Sequence, residues 1–309
     1  MKLIHLAKDK RVFEFNNNEE DVAVNAEIGD FVNFLTEDAH NGTIDKSELF
    51  ADVDFPELNP ENANPATGLV KVKNSKPGYY LKVKVLEINP AARGILPVRS
   101  YMGVLRDVVE DKKARIVKYE NDSVWINQKL QISARPMIGT IGVAAQQEKH
   151  SATMYPGSHG GNLDNNMIRE SSVVYLPVYQ EGAYLGVGDV HAAMGDGELT
   201  CAGIDIQASV TIKVEGCSTE IITKNPVVKT QDHIVTHGIG YDYSSAAAQA
   251  TKDMQSILNQ SFNISDYETY LMLGSRGDLG LCQACNSDSL PMVVRLAYPL
   301  DGQKREVKL

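Results

Sequence analysis

Apolar and polar residues alternate with a period of two along most of the chain, or β-branched residues form short runs that end at Gly, Pro or Asn-Gly. This pattern is typical of β-strands that bury one or both faces. It favours a sandwich of strands over a helical bundle. The pattern predicts strands at residues 31–36, 80–88, 104–107, 116–119, 172–178, 183–190, 204–214 and 292–297.

One stretch, residues 245–259, has the period of a helix. Its apolar stripe consists of Ala247, Ala250, Met254, Ile257 and Leu258. Ser244 stands where an N-cap is expected, and a shorter helix is predicted at 266–273. We therefore expect a mainly β protein with a few helices towards the C-terminus.

Composition excludes several classes of protein. The 309 residues include 30 basic and 40 acidic side chains, which give a net charge of −10. This length corresponds to one large domain or two small ones, and the negative charge argues against a nucleic-acid partner. No apolar run is long enough for a membrane span, and residues 1–11 do not look like a secretory signal. We expect a cytoplasmic protein with no membrane partner.

Two Asp-x-His pairs carry candidate metal chemistry. Asp189 and His191 follow one predicted strand, and Asp38 and His40 follow another. Residues i and i+2 of an extended segment project on the same side, so each pair can hold one ion. Brought together, the two pairs would supply the ligand types of a catalytic zinc site or a similar one. A structural hydrogen bond at the strand end is the alternative, and it stays open for Asp38 and His40.

Two further motifs lie nearby. Asp196 and Glu198 flank Gly197 on a predicted turn, where either carboxylate can act as general base for a metal-activated water. The alternative is a β-turn with solvated acids.

The second motif, residues 156–164, reads PGSHGGNLD. Its glycines free backbone N–H groups that could stabilise an oxyanion, or they serve only to reverse the chain. His159 and Asp164 add possible ligands, and the Asn162 amide can both donate and accept hydrogen bonds. The motif is neither a nucleophile elbow nor a phosphate loop.

The run at 156–164, followed by Leu-Pro-Val at 176–178, GDVHAA at 188–193 and GDGE at 195–198, resembles the acetamidase/formamidase family in order and spacing. This resemblance implies a decorated, jelly-roll-like β-sandwich that forms a single domain over residues 1–309. An α-containing segment at about 241–299 would pack on it. The resemblance also implies hydrolysis of a small linear amide, formamide or acetamide, with a bound divalent metal, and a homodimer.

The resemblance also implies site residues. Asp38, His159, Asp189 and His191 are expected as metal ligands from the resemblance, and His40 is added from its spacing to Asp38; Gly161 and Asn162 would bind substrate, and Glu198 or Asp196 would be the base. Zinc is the first choice of metal, with calcium as a possible second ion. The chain departs from the family pattern at Met194, where glutamine is usual, and at His40, where the family varies.

Two alternatives belong to other classes of protein. The first is a metal-containing β-sandwich that binds its ligand without turnover, which the departure at Met194 leaves open. The second is an iron oxygenase with His40, His191 and Asp189 as its ligands.

Overall fold

The computed structural model describes residues 1–56, 59, 61–99, 102–109, 112–146, 151–283, 290–301 and 306–309. These residues are mainly β, with two α-helices near the C-terminus, so the predicted fold class is confirmed. The strands are β1 (Leu3–Leu6), β2 (Arg11–Val12), β3 (Val24–Ala26), β4 (Phe31–Thr36), β5 (Asp52–Val53), β6 (Ala66–Val72), β7 (Tyr79–Val98), β8 (Lys113–Glu120), β9 (Ser123–Trp125), β10 (Gln131–Ser133), β11 (Met137–Gly142), β12 (Gly160–Asn162), β13 (Val173–Pro177), β14 (Leu185–His191), β15 (Asp205–Glu220), β16 (Val227–Lys229), β17 (His233–Gly240), β18 (Asp278–Gln283) and β19 (Met292–Pro299). The helices are α1 (Tyr243–Phe262) and α2 (Asp266–Arg276), and a 3₁₀ turn covers Glu19–Asp21.

Two long antiparallel strands, β7 and β15, pair over most of their length. The alternating pattern predicts only the N-terminal part of each strand, at 80–88 and 204–214. Their register shifts at several places, which is the mark of β-bulges, and bulges let a long strand bend without ending. The other edge of β15 pairs with β4, and β13 pairs with β7.

Strand β14 connects this pair of strands to the candidate site. It lies between β11 and β6 and is antiparallel to both. Its last residue, His191, pairs with Asp205, the first residue of β15. The end of one buried strand therefore meets the beginning of another, and both carry ionisable side chains at the junction.

The main core lies among these strands, and a second apolar cluster lies under the helices. Met254, Ile257 and Leu258 on α1 are fully buried in that second cluster. Helix α1 begins two residues earlier than predicted, and its N-cap is Asp242, whose carboxylate accepts a hydrogen bond from Ser245 N–H at 2.9 Å. In the described part of the chain, no helix is both long and apolar enough to cross a membrane.

The strand predicted at 104–107 is wrong. These residues form turns, and the side chains of Val104 and Leu105 are mostly exposed. Gly103, at a φ of 83°, reverses the chain just before them. Val104 N–H then donates to the Leu199 carbonyl, and residue 199 lies outside the strands, so the apolar run has no strand to pair with. A single domain over 1–309 stays a prediction.

Candidate active site

A cluster of acids around one imidazole lies where β14 ends and β15 begins. Asp164, Asp189 and His191 each offer one ligand atom, and these atoms all lie within 4.8 Å of one another. Asp205 joins them, since its Oδ1 lies 3.4 Å from Nε2 of His191, as does Oδ1 of Asp189. All four side chains are buried. The cluster could therefore hold a metal ion away from bulk water.

Local sequence explains how these acids approach so closely. Asp189 and His191, two residues apart in β14, bring Oδ1 and Nε2 to within 3.4 Å of each other, and β11 runs beside them. Gly139 of β11 leaves the room: a Cβ there would lie 2.6 Å from Oδ1 of Asp164 and 2.8 Å from the Asp189 carbonyl oxygen. Any larger residue at position 139 would push the two carboxylates apart.

Three acids of the site share an unusual backbone conformation. Asp164, Asp189 and Glu198 have φ values of 46°, 46° and 47°, in the left-handed region. A residue other than glycine pays about 1 kcal/mol or more to stay there, and such residues concentrate at functional sites. The surrounding fold therefore holds these carboxylates in directions that an unstrained strand or turn would not give them.

Each of two carboxylates has one oxygen held and the other left open. Asp189 Oδ2 accepts a hydrogen bond from Asn64 Nδ2 at 3.0 Å, and Asp164 Oδ2 accepts one from Asn162 Nδ2 at 2.7 Å. Their Oδ1 atoms, together with Asp205 Oδ1, are buried and have no hydrogen-bond partner among the described residues. Amides that orient a carboxylate while its other oxygen stays open are typical of the surroundings of a metal site.

The crowding of acids changes their ionisation. Burial and the Asp189 carboxylate raise the pKa of Asp164 to about 8. Burial also raises the pKa of Asp205 to about 7, although His191 opposes it. Burial disfavours a charged His191, yet the neighbouring Asp189 and Asp205 outweigh it and raise its pKa to about 10. A bound cation would relieve this repulsion, so the electrostatics of the cluster fit a divalent ion.

A small cavity opens beside the cluster. Its volume is about 40 Å³. One water needs roughly 10–15 Å³ on this measure, so the cavity admits only a few heavy atoms. The lining residues are Ala39, Asn64, Arg99, Met102, Met154, Asn162, Asp189, His191, Glu198, Cys201, Ala202, Asp205 and Leu290.

Four of the residues singled out in the sequence meet at this cavity: Asn162, Asp189, His191 and Glu198. Glu198 is buried, and burial together with the charge of Asp164 raises its pKa well above the ordinary value of a glutamate. A buried carboxyl with a raised pKa beside a reactive cavity is suited to proton transfer.

The second Asp-x-His pair lies behind this cavity wall. Asp38 forms an ion pair with Lys46, and its Oδ1 accepts a hydrogen bond from the His40 backbone N–H at 3.0 Å. His40 Nε2 lies 2.9 Å from Nη2 of Arg99. Burial, with the charge of Arg99, lowers the pKa of His40 to about 3, so its ring is neutral. Both residues are thus engaged with basic side chains, outside the group of possible ligands at Asp164, Asp189 and His191.

The remaining residues lie apart from the cluster. His159 is buried against Phe15, with ring centroids 5.5 Å apart, and lines a different pocket. Burial lowers its pKa to about 4. Gly161 serves chain packing, because a Cβ there would lie 2.1 Å from the Tyr155 carbonyl oxygen. Asp196 is half exposed and forms an ion pair with Arg295 through both carboxylate oxygens, at 2.8 and 2.7 Å.

Sequence reasoning missed Asp205, Arg99 and Asn64. Asp205 does have a local signal, since a single acid between Ile204 and Ile206 at the start of an apolar strand is an expensive residue to bury. Arg99 and Asn64 have none: each lies in a proline-containing segment far from the motifs, and only the fold brings it to the cavity.

Comparison with known proteins agrees with this geometry. The model of the Acetamidase/Formamidase family matches residues 145–277, which include Asp164, Asp189, His191, Glu198 and Asp205. The structure of a predicted acetamidase/formamidase from Thermoanaerobacter tengcongensis has a TM-score of 0.87 and 32% sequence identity, with 97% of this chain and 96% of that chain covered. An acetamidase from Bacillus halodurans gives 0.88 and 31%, with 96% and 97% covered.

Both solved structures, matched over nearly their whole length, carry names of the amidase class of hydrolases. The chain belongs to the acetamidase/formamidase family. A formamidase from Methylophilus methylotrophus is 34% identical over 101 residues, which are 29% of this chain and 25% of that protein. The chain thus matches about a quarter of that curated relative, against nearly the whole of the two solved structures.

Proposed function

We propose that this protein hydrolyses short linear amides, with formamide and acetamide first, to a carboxylate and ammonia, and that a divalent cation at Asp164, Asp189 and His191 is required. The observation that carries the proposal is the buried cluster itself, where oriented carboxylate oxygens have no hydrogen-bond partner among the described residues and lie beside a cavity of small-molecule size. The relatives named as formamidase and acetamidase support the choice of an amide.

The donor set supports zinc as the first choice of metal. One imidazole and two carboxylates are ligand types that zinc accepts, and Asp205 is close enough to His191 to complete or orient the set. The cluster also offers many carboxylate oxygens, which are the ligands that a harder ion such as calcium prefers. The proposal therefore includes calcium as a possible second ion. His191 would bind as a neutral imidazole, so metal uptake would release its proton.

The chain's own residues supply the rest of the chemistry. A divalent cation, when bound, makes water a better nucleophile and polarises the amide carbonyl. Water adds its oxygen to the carbonyl carbon, the C–N bond breaks, and the nitrogen leaves as ammonia with a proton taken from that water. Glu198 borders the cavity and can take up this proton and return it to the leaving nitrogen. Asn162 can hold the substrate amide, since its own side chain also accepts from Thr140 Oγ1 at 2.7 Å and so is firmly oriented.

The size of the cavity supports the smallest substrates. At about 40 Å³ the space corresponds to about three waters, which is close to the heavy-atom content of formamide. Met102, Met154 and Leu290 close the cavity with apolar surface. We expect formamide and acetamide to be turned over faster than longer amides, because each further methylene would collide with this wall.

Ammonia release and elemental analysis of the same sample test the proposal. We expect the purified protein to contain a divalent metal and to release ammonia from formamide or acetamide. Asp189→Asn and His191→Ala should lose both metal and turnover, because each removes a ligand atom from the cluster; Asp52→Asn, a change in an exposed ion pair with Arg115, is the matched control. Full activity in either cluster variant would refute the proposal.

The same assay separates the alternatives. Bound metal without ammonia release would favour a binding protein without turnover. Ammonia release under anaerobic conditions with zinc would exclude the iron oxygenase. A homodimer and a cytoplasmic location remain predictions.

A further inference from the structure

Arg99 is a buried cation on the wall of the cavity, opposite in charge to the acids around it. We infer that the Arg99 guanidinium binds the acyl oxygen of the amide substrate and the carboxylate of the product, and that His40 is the residue that positions it. This inference rests on the proposed function, and it adds the group that recognises the acyl part of the substrate.

The guanidinium is held from three sides. Nη1 donates to the Cys201 carbonyl at 2.9 Å, and Nη2 lies 2.9 Å from His40 Nε2. The Phe55 ring lies 5.3 Å from the Arg99 Cζ atom, which is within the range of a cation–π contact. Such a side chain has little freedom left to lose when a ligand arrives, so it is already organised for binding.

The guanidinium still has unused hydrogen-bonding capacity. Arginine carries five N–H donors in a fixed planar fork. Nε of Arg99 is buried and has no partner within the described part of the chain. A buried donor without a partner costs about 1–3 kcal/mol, and Arg99 lines the cavity, so a ligand bound there can supply an acceptor to the guanidinium.

Among the described residues, Arg99 forms no direct ion pair, although its charge opposes the rise in the pKa of Asp205. No carboxylate of the described residues lies within 4.0 Å of its guanidinium nitrogens, although acids lie around the same cavity. A buried charge is normally paired, because an unpaired one loses its hydration without compensation. An arginine fork matches a carboxylate geometrically, and it can donate equally to a carbonyl oxygen on which negative charge develops. The product of amide hydrolysis is such a carboxylate.

His40 determines where the guanidinium points. Because arginine has only donors, the contact with Nη2 makes His40 Nε2 the acceptor. The His40 ring is fixed in turn by an edge-on contact with Phe55, with centroids 5.2 Å apart, and its backbone N–H donates to Asp38. Asp38 and His40, which the sequence suggests as ligands, therefore form a support for Arg99 in this inference.

Acetate binding to the metal-loaded protein tests the inference without any turnover. We expect Arg99→Met to weaken acetate binding, measured by calorimetry, by at least about tenfold, with Arg99→Lys in between because a lysine keeps the charge but not the fork. Acetate should inhibit ammonia release by the wild type and inhibit Arg99→Met correspondingly less. Metal content and melting temperature are measured for every variant, and Arg115→Met, which removes an exposed guanidinium, should behave as the wild type.

His40 is tested by a conservative pair of variants. His40→Phe removes the acceptor, so we expect acetate binding to weaken and KM to rise more than kcat falls. His40→Gln keeps an acceptor at about the reach of Nε2 and should restore part of both. A uniform loss of kcat and stability in both variants would assign His40 to the fold alone and overturn its positioning role.

Several outcomes would overturn the Arg99 inference: unchanged acetate affinity in a metal-loaded Arg99→Met, loss of metal as its main effect, or no acetate binding by the wild type. Arg99-dependent acetate binding by a protein that releases no ammonia would refute the proposed function and leave the anion site standing. If Arg99→Met releases ammonia and acetate inhibits it as strongly as it inhibits the wild type, the Arg99 inference is refuted and the proposed function stands.

Discussion

This protein contains two buried polar clusters with similar residue types. In one cluster several carboxylate oxygens have no hydrogen-bond partner among the described residues, and in the other the polar atoms form hydrogen bonds within the protein. The first is the cluster at Asp164, Asp189, His191 and Asp205. The second, which we call the His237 cluster, contains Asn165, Asn225, His237 and Asp253. Both place an imidazole and at least one carboxylate in the interior, and amide side chains donate hydrogen bonds to both clusters.

In the His237 cluster, the polar atoms form hydrogen bonds to other groups of the protein. His237 Nδ1 donates to the Pro226 carbonyl at 2.7 Å, and Nε2 accepts from Asn165 Nδ2 at 2.8 Å. Asp253 accepts from the backbone N–H groups of Lys224 and Asn225 and from Gln249. Such a network holds a loop and a helix onto the sheet and leaves nothing for a ligand to bind.

The active-site cluster, in contrast, leaves carboxylate oxygens open within the described structure and strains the backbone that carries them. A buried polar group without a hydrogen-bond partner lowers stability. Such groups therefore persist where a bound ligand supplies the missing partner. Adjacent residues can thus have different purposes: Asp164 faces the open cluster, while Asn165 contacts His237. The state of the neighbouring atoms, more than the residue type, separates a candidate ligand from a structural polar group.

The largest expected effect comes from Asp164→Asn. We expect turnover and bound metal to fall by more than about a hundredfold, since even partners outside the first ligand shell cost 10- to 100-fold when removed. The melting temperature of the metal-free protein should stay the same or rise, because the substitution removes one of several crowded acids whose charge burial disfavours. If Asp164→Asn keeps its metal and melts at a lower temperature, Asp164 is a structural polar group, and the contrast between the two clusters is contradicted.

Glu198→Gln tests whether Glu198 transfers protons and does not hold the metal. We expect kcat to fall by about 10²- to 10⁴-fold, the contribution of a general acid–base, while metal content stays at the wild-type level. Asp196→Asn is the matched control, since that carboxylate pairs with Arg295 outside the cavity, and it should retain most of the activity. Equal loss in the two variants would contradict the role given to Glu198.

His237→Phe probes the satisfied cluster. The substitution leaves the Pro226 carbonyl and the Asn165 amide without partners, at about 1–3 kcal/mol for each buried group. We therefore expect a free energy of unfolding lower by several kcal/mol, measured by urea titration of the metal-loaded protein, with metal content and kcat per folded molecule unchanged. If His237→Phe loses metal but keeps its free energy of unfolding, His237 contributes to the metal site and the two clusters act as one functional unit.

The smallest effect is a pH dependence of stability. Burial lowers the pKa of His237 to about 4, against an ordinary value of 6.5. Below pH 6.5 the unfolded chain takes up a proton that the folded protein excludes, so stability falls as the pH drops from 6.5 towards 4. At pH 5 this residue alone should lower the free energy of unfolding by about 2 kcal/mol relative to neutral pH.

The measurement is the difference between wild type and His237→Phe across that pH range. The variant should lose less stability than the wild type as the pH falls, because one titrating group is gone. Parallel curves for the two proteins would mean that the pKa of His237 is the same in the folded and unfolded states, so that burial does not lower it.

Much of this protein is predictable from local sequence. The alternating pattern identifies parts of most of the central strands, the helical period of the apolar residues identifies the long helix, and the motif spacing leads to the right family. Asp189 and His191 can be found because strand geometry puts residues i and i+2 on one side. The apolar run at 104–107 misleads, since hydrophobic pattern alone does not say whether a neighbouring strand is available to pair with it.

The chain by itself determines periodicity, charge and the identity of each possible donor, because these properties depend on residues close together in sequence. Only the tertiary structure decides which donors share a cavity. Asp205 reaches the site through its pairing with His191, and Arg99 directly follows β7, which pairs with β15; His159 and Asp196 lie elsewhere. Which buried polar atoms stay without a partner is likewise set by contacts between distant segments, and no short motif encodes that.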